Sequence, residues 1–454
     1  MDAVVGINNL DLTAMRGNYC HCGFPEIAYG KYSDMLVARG YKVARIEQTE
    51  TPDMRDSRNK GTGSKDKVVK REICRVTTAS TKTYGVYDGT DDKNFIHTVE
   101  ASASYLMALV EEQTSSKTSS YGLCFIDTSV GKFILTQFDD DSCRSVLRTV
   151  AAQFQPSHVI YPKGLVSSGT QAVFNSALSA VKKEPLFMKK EFYPEDIVVT
   201  KLMNPEYLGN DLDKWPKELN TIFDTTLHVP RSLPNKQLCV RALGGLMFYL
   251  NRCLIDVDMF SMGQFEEYYP PSLSKDENKP QISGVERWKG KNLVLDGATL
   301  LNLHLVPPFT GKKAAAGLRD ATSLKFSLFN TIDSCKTPFG KRLLRSWICS
   351  PSCDPTVIAE RQDAVEYLMR QDVNPLIKKM EEYLKKLPDL EKLLQKINTL
   401  GLKYRSETHP DSRAQMFFPE KYNKRKINDL ILTLNGFERI LKLAFAYSKL
   451  DIEK

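Results

Sequence analysis

The sequence has no apolar run long enough to cross a membrane. Its longest uninterrupted apolar stretch, residues 242–250, falls far short of the ~20 residues that span a bilayer. The N-terminus turns acidic at Asp2, without the basic segment that precedes the apolar run of a secretory signal. We therefore expect neither a transmembrane helix nor a signal peptide in this chain.

The sequence also lacks a cysteine framework and a complete set of metal ligands. Its 10 cysteines are scattered over 454 residues, which favours a reducing compartment over a disulfide-stapled fold. Cys-His-Cys at 20–22 and the cysteine pair at 349–353 offer thiols, but their close spacing suits a tetrahedral site poorly. No second CxxC or HxxxH pattern follows to supply the other ligands. We expect small, buried or half-buried thiols and no metal.

A phosphate-binding loop is missing as well. Such a loop needs Gly-Lys-Ser/Thr with another glycine five positions ahead. The chain has five Gly-Lys pairs, but none is followed by Ser or Thr and none has that earlier glycine. We therefore expect no cofactor, no catalytic residue and no enzymatic activity in this chain.

What the chain does have is the composition of an ordinary folded protein. Hydrophobic residues make up 42% and charged residues 26%, and the length suggests three domains at ~150 residues each. The net charge of +8 is mild, so a nucleic-acid interface must come from clustering. Residues 55–75 hold eight Lys or Arg against three acidic residues. This basic run is either a solvated loop or a face that contacts phosphates.

The first 84 residues have an α/β pattern. Residues 33–39 begin with a capping Ser or Asp and end at Gly40, which is typical of a helix. Residues 41–46 then alternate with period two, as a half-buried strand does. Strand character returns at residues 68–76, after a stretch almost without apolar residues.

A second pattern of strands and helices follows. Two apolar strands, 121–127 and 132–138, are joined tightly and predict a hairpin. Ser142 is predicted to cap a helix, and residues 158–161 read as a buried strand. This β-β-α-β order predicts a mixed sheet of ribonuclease-H-like type.

After Pro234 the sequence becomes helical. Apolar residues recur with helical spacing in three stripes, which we interpret as helix-bundle core: 239–254, 376–397 and 427–445. Three polar or proline-rich stretches between them read as loops: 263–291, 306–317 and 404–419. The fold class is therefore multidomain, α/β followed by all-α.

The β-β-α-β segment raises a nuclease alternative, because such folds can hold two divalent metals between carboxylates. Asp127 stands where a first ligand could lie. The buried strand ends at residues 161–163 without a second acid, and the acidic residues 139–141 better suit the turn ahead of the helix. We favour the interpretation that this sheet has a structural role and holds no catalytic metal. Mg²⁺-dependent cleavage that Asp127→Ala abolishes would indicate the alternative.

Two longer segments resemble a known family. Residues 23–34 (GFPEIAYGKYSD) and 40–52 (GYKVARIEQTETP) closely resemble the mismatch-binding domain of MutS proteins. They are most similar to the mismatch-reading subunit of the eukaryotic heterodimer MutS-alpha. The resemblance covers nearly the whole chain, most weakly 163–233, and continues through several further motifs: 71–75, 125–133, 253–256, 336–344, 387–390 and 409–414.

The resemblance implies three domains and a longer parent protein. It assigns residues 1–84 to part of the mismatch-binding domain, 85–232 to a ribonuclease-H-like connector and 233–454 to a helical, incomplete lever. The family's Phe-x-Glu wedge would lie just upstream of Met1, and the clamp and ATPase beyond Lys454. The resemblance therefore implies an internal part of a DNA-dependent ATPase, whose ATP and Mg²⁺ bind outside this chain.

The function implied is DNA mismatch repair in the nucleus. The implied partners are double-stranded DNA with base mispairs or small insertion loops and a second MutS homologue in a MutS-alpha-like heterodimer. The competing hypothesis is a non-catalytic helical scaffolding module without DNA binding. The candidate DNA-binding residues come from the basic run and the segment near Gly23: Arg16, His21, Cys22, Lys31, Arg55, Arg58, Lys70 and Arg71.

Overall fold

The computed structural model describes residues 2–83, 104–270, 292–307 and 326–448, apart from residues 11, 16, 18, 19, 64, 116 and 117. Arg16 and most of the loops predicted at 263–291 and 306–317 lie outside the described residues. No described helix is both long and apolar enough to span a membrane.

Residues 2–77, here called the N-terminal unit, combine helices with a two-stranded antiparallel sheet. The predicted helix and strand on either side of Gly40 are confirmed, but the helix begins at Tyr29, so the expected cap at Ser33 or Asp34 is wrong. Gly40 has a φ of +83°, a conformation that glycine adopts without strain after a helix end. A helix and a strand occupy most of the basic run, so the solvated-loop interpretation is wrong there. The strand character predicted at residues 68–76 is confirmed by the strand at 71–77, whereas the helix at 52–62 was not predicted. The elements are α1 (Asp2–Leu10), α2 (Tyr29–Ala38), β1 (Val43–Gln48), α3 (Pro52–Thr62) and β2 (Arg71–Thr77).

Residues 104–267, the sheet unit, form a mixed six-stranded sheet. The strands are β3 (Tyr105–Gln113), β4 (Ser119–Asp127), β5 (Lys132–Asp140), β6 (His158–Pro162), β7 (Lys182–Leu186) and β10 (Gln264–Glu267), with β8 (Phe223–Asp224) and β9 (Arg231–Ser232) paired separately. The order of the six strands in the sheet is β10-β5-β4-β3-β6-β7. The predicted hairpin is confirmed as β4 and β5. The expected loop from residue 263 is wrong at its start, where β10 pairs in parallel with β5.

Helices cover both faces of this sheet. They are α4 (Ser145–Phe154), α5 (Ser168–Asn175), α6 (Met188–Glu191), α7 (Glu195–Leu202), α8 (Gln237–Arg252) and α9 (Asp256–Phe260). α8 lies so close to β4 that a Cβ on Gly122 would fall 2.1 Å from the carbonyl carbon of Leu238. The stripe 239–254 is thus largely buried, as predicted, but it packs against a sheet and not within the helix bundle that we expected. α8 packs on the sheet, although the predicted domain boundary lies before it.

The start of α4 explains the acidic run ahead of it. Asp140 accepts the amides of Val146 and Leu147, and Asp141 accepts the amide and hydroxyl of Ser145. These carboxylates satisfy helix-terminal donors that have no partner within the helix. The acidic residues therefore serve the turn and cap, as predicted, but the expected capping by Ser142 is wrong.

Residues 292–448, the helical unit, supply the remaining helices. They are α10 (Gly297–Asn302), α11 (Leu328–Ile332), α12 (Pro338–Cys349), α13 (Pro355–Leu368), α14 (Asn374–Lys385), α15 (Leu390–Gly401), α16 (Lys403–Glu407) and α17 (Pro419–Tyr447). The loop expected at 404–419 is partly helical. The stripe 427–445 lies on α17 as predicted, but its apolar side chains are exposed among the described residues, so the core interpretation is wrong there.

Candidate nucleic-acid interface

Arg58, a predicted phosphate contact on α3, is occupied by carboxylates of its own unit. It donates from Nε to Glu50 Oε1 and from Nη1 to Asp66 Oδ2, both at 2.8 Å. The buried Glu50 also accepts the backbone amide of Lys70 at 2.9 Å. These hydrogen bonds, chiefly that from Arg58, lower the pKa of the Glu50 carboxyl. The network ties α3 to the segment ahead of β2.

The other predicted residues of the basic run differ in how far they are engaged. Arg55 donates to Asp56 Oδ1 and to the carbonyl of Lys67, and Lys70 Nζ lies 3.0 Å from Glu72 Oε1. Four exposed side chains make no ion pair with another described residue; we call them the unpaired cations: Lys60, Lys65, Lys67 and Arg71.

The predicted residues near Gly23 form a second group. Lys31 is exposed, with Nζ 5.6 Å from the ring centroid of Tyr32, and Tyr32 packs on Phe24 at 4.6 Å. His21 is exposed and its carbonyl accepts the amide of Met15. Cys22 is half-buried, and its Sγ lies 3.6 Å from the carbonyl oxygen of Ala3, which gives this thiol a packing role. A DNA contact from Lys31 or His21 stays a prediction.

Phe24, Pro25 and Glu26 share the Phe-x-Glu spacing, but Phe24 and Glu26 both contact other residues of this chain. Glu26 Oε2 accepts the backbone amide of Phe417 in the helical unit at 2.9 Å. Phe24 packs on Tyr32. This Glu is therefore engaged in holding two units together.

A buried chain of charges joins all three units, and sequence reasoning did not find it. Arg45 of β1 donates from Nη2 to Asp411 Oδ1. Arg405 donates to Asp411 Oδ2 and to Asp258 Oδ2, both at 2.6 Å. The four side chains are between 5% and 13% exposed. Burial raises the pKa of Asp411, but the positive charges of Arg45 and Arg405 outweigh it and lower that pKa overall. Asp411 is therefore a carboxylate at neutral pH.

Backbone contacts surround this chain of charges. His409 Nδ1 accepts the amide of Asp411 and its Nε2 lies 3.1 Å from the carbonyl oxygen of Leu254. Burial, followed by the charge of Arg405, lowers the pKa of His409, so this imidazole is neutral at pH 7. The amide of Gln415 donates to the carbonyl of Gln48 at 2.8 Å.

A second polar contact joins the N-terminal unit to the sheet unit. Lys42 Nζ donates to both oxygens of Glu184, at 2.7 and 2.8 Å. His158 Nε2 lies 3.3 Å from Glu184 Oε2, and its Nδ1 lies 3.3 Å from Ser80 Oγ. Burial raises the pKa of Glu184, but contacts with His158 and Lys42 bring it to about 2. The order Ser-His-Glu resembles a hydrolase triad, but Ser80 is only 1% exposed, so the cluster is structural.

Several of the residues that make these contacts lie in sequence motifs that carry the family resemblance. Lys42 and Arg45 lie in the motif 40–52, and Asp411 lies in the motif 409–414. Both motifs served only to recognise the family. A single sequence cannot show that residues so far apart along the chain meet.

The geometry gives no support to the nuclease alternative. Asp127 Oδ1 accepts the amide and the hydroxyl of Ser129, at 3.0 and 2.7 Å, and so closes the turn between β4 and β5. Burial raises the pKa of Asp127, which disfavours its charged form. The described part of the chain contains no group of three or more His, Cys, Asp or Glu side chains placed to hold a metal ion.

Comparison with protein families matches most of the chain to three consecutive domains. Residues 1–85 match MutS domain I, residues 104–261 match MutS domain II and residues 298–453 match MutS domain III.

Individual proteins give the same result. The chain is 41% identical over 457 residues to the DNA mismatch repair protein Msh6 of Homo sapiens; the aligned region covers 98% of this chain and 32% of that protein. It is 40% identical over 449 residues to Msh6 of Gallus gallus, with 96% and 32% coverage. It is 36% identical over 450 residues to the probable Msh6 of Drosophila melanogaster, with 98% and 35% coverage.

The chain thus spans about a third of the length of the curated relatives it matches. The matched domains follow each other in the order in which the structure presents an α/β unit, a mixed-sheet unit and a helical unit. This chain belongs to the MutS family.

Proposed function

We propose that this chain is part of a DNA mismatch-repair protein. In that protein it contributes a surface that contacts the phosphates of the DNA duplex and so positions the protein on the duplex. The observation that carries the proposal is the match of residues 1–85 to MutS domain I, the unit in which the unpaired cations lie. Lys and Arg side chains that face solvent neutralise phosphates and release counterions, which supplies affinity without reading sequence.

The finer assignments follow the same family relationship. Residues 1–84 act as part of the mismatch-binding domain, 85–232 as a ribonuclease-H-like connector and 233–454 as a helical lever. The parent protein pairs with a second MutS homologue in a MutS-alpha-like heterodimer, works in the nucleus and uses ATP with Mg²⁺ as a DNA-dependent ATPase. The relatives whose names state DNA mismatch repair support this proposal.

The physical basis of mismatch recognition is the deformability of DNA. A mispaired step is already poorly stacked, so opening it costs less than the few kcal/mol that an intact step requires. A protein that bends the duplex therefore binds best where bending is easiest. Phosphate contacts fix the protein's register on the duplex, and base-stacking contacts supply the discrimination.

The test is binding of the purified chain to a fluorescent 30-base-pair duplex at several salt concentrations. We expect binding whose logarithm falls linearly with the logarithm of salt, with a slope of about −0.9 for each phosphate contact. Binding without salt dependence, or none at low salt, would contradict the proposal.

One observation favours the scaffolding alternative as a second candidate. The long helix α17 presents an exposed apolar stripe: Ile427, Leu430, Ile431, Leu434, Phe437, Leu441 and Phe445. A contiguous exposed apolar surface often marks a protein contact. The two candidates separate in the duplex titration, because a scaffold that contacts only proteins gives no salt-dependent DNA binding.

A further inference from the structure

We propose that Asp411 is a positioning residue that fixes the N-terminal unit, through Arg45 of β1, against the sheet and helical units. The effect of this residue on DNA binding rests on the function proposed above, whereas its effect on the arrangement of the units does not.

The first step of the argument is the geometry of the Asp411 carboxylate. Its two oxygens accept from guanidinium groups of different units, Oδ1 from Arg45 and Oδ2 from Arg405 at 2.6 Å. Arg405 in turn reaches Asp258 of the sheet unit at 2.6 Å. One carboxylate therefore lies where all three units meet. Charge-assisted contacts of this kind are direction-specific, because the planar guanidinium fixes the angle as well as the distance.

The second step is the position of Arg45 on β1. This strand and the turn before it contact the other units at three points. Lys42 donates to Glu184 of the sheet unit, Arg45 donates to Asp411, and the Gln48 carbonyl accepts from Gln415. Three fixed points define the orientation of a rigid strand. β1, here called the docking strand, is thus held against both other units, and Asp411 contacts it at Arg45.

The third step connects the docking strand to the unpaired cations. Gln48 is the register partner of Arg71 in the β1–β2 pair, and Thr49 donates to Glu72 at 2.6 Å. Glu72 is in turn 3.1 Å from Arg413 of the helical unit. Movement of β1 therefore displaces β2, which carries Arg71, one of the unpaired cations.

Removing the negative charge of Asp411 takes away the carboxylate that lies between Arg45 and Arg405. Glu47, 3.5 Å from Arg45, and Asp258, 2.6 Å from Arg405, would remain, but the loss of one partner from a buried network of ion pairs is strongly unfavourable. The hydrophobic clusters of the sheet unit do not include these side chains. The units are expected to separate at the junction while the sheet unit keeps its core.

The experiment compares Asp411→Asn with Asp372→Asn by hydrogen–deuterium exchange of the whole chain. Asp372 pairs with Arg370 on the surface, 2.9 Å apart and 63% exposed, so its substitution makes the same charge change away from the junction. We expect Asp411→Asn to speed exchange at least tenfold in peptides covering residues 43–48 and 410–417, with β4 and β5 unchanged. Equal exchange in both variants would overturn the proposal.

A second variant decides the outcome if Asp411→Asn speeds exchange throughout the chain. Arg45→Gln removes one cation and leaves Asp411 paired with Arg405. It should speed exchange in the same two segments alone, and the double variant should exchange no faster than Asp411→Asn. Additive effects, or no effect of Arg45→Gln on residues 43–48, would overturn the proposal.

Duplex binding adds a readout that distinguishes the two proposals. Asp411→Asn should weaken binding at every salt concentration without changing the salt slope, because the same cations still reach phosphates in the complex and the variant adds only the free-energy cost of returning the N-terminal unit to its position. A changed slope would place Asp411 outside the positioning role. If the unsubstituted chain does not bind duplex, the proposed function fails, and the exchange result still decides the arrangement of the units.

Discussion

The salt dependence of duplex binding separates cations that face DNA from cations that hold the protein together. We consider a variant in which the four unpaired cations, Lys60, Lys65, Lys67 and Arg71, are replaced by Gln. Each is exposed and without an ion pair among the described residues. The control is Arg58→Gln, since Arg58 lies in the same segment but is bound by Glu50 and Asp66.

The expected magnitude follows from counterion release. Each lost phosphate contact changes the slope of log K against log salt by ~0.9, so four contacts change it by about 3.6. On lowering salt from about 0.2 M to about 0.05 M, binding of the unsubstituted chain should strengthen by about 150-fold more than that of the fourfold variant. Arg58→Gln should leave the slope unchanged and lower the melting temperature, because it breaks the contact between α3 and Glu50.

The assay is fluorescence anisotropy with one duplex at five or more salt concentrations. Circular dichroism of each variant first establishes that it is folded. An unchanged slope in the fourfold variant would show that the unpaired cations are not the phosphate contacts. A reduced slope in Arg58→Gln would show that Arg58 contacts phosphate in spite of its ion pairs, which would contradict the distinction made here.

Three further predictions concern stability and activity. Gly122→Ala should lower the free energy of unfolding, measured by urea titration, by about 3 kcal/mol, because its Cβ would lie 2.1 Å from the Leu238 carbonyl carbon. The control is Gly61→Ala on α3, which has open space around it and should be neutral or stabilising in the same titration. Burial lowers the pKa of His158 and His409 below 6.5. On acidification the unfolded chain therefore takes up protons before the folded chain does, so the free energy of unfolding should fall as pH drops below about 6.5. A urea midpoint that stays constant from pH 7.5 to 5.5, or an equally large decline in His409→Gln, would contradict this. The purified chain should not hydrolyse ATP, and phosphate release above a buffer blank would contradict that expectation.

Local patterns predicted the elements that depend on neighbouring residues. The helix ending at Gly40 and the hairpin of β4 and β5 follow from periodicity and turn residues alone. The strands β3, β7 and β10 were missed. β10 joins the sheet only because β5 offers it an edge more than 100 residues away in sequence, and no local pattern reports such pairing.

The candidate interface was predicted by composition and resolved only by geometry. The basic run was recognised from its charge, but which cations are engaged depends on Glu50 and Asp66, which the fold brings to Arg58. At residues 427–445 the predicted helix is present, but the predicted burial of its apolar side chains is wrong. Periodicity reveals that a helix has an apolar face but not what covers that face.

The positioning role of the N-terminal unit is tested most directly by competition between two duplexes. One duplex contains a central G·T mispair and the other is fully paired. The unpaired cations are proposed to contact phosphates, and Glu26 is engaged by Phe417, so nothing identified in the described residues inserts into the base stack. We predict that this chain binds both duplexes almost equally. A tenfold preference for the mispaired duplex, ~1.4 kcal/mol, would contradict the account and show that residues of this chain read the mismatch.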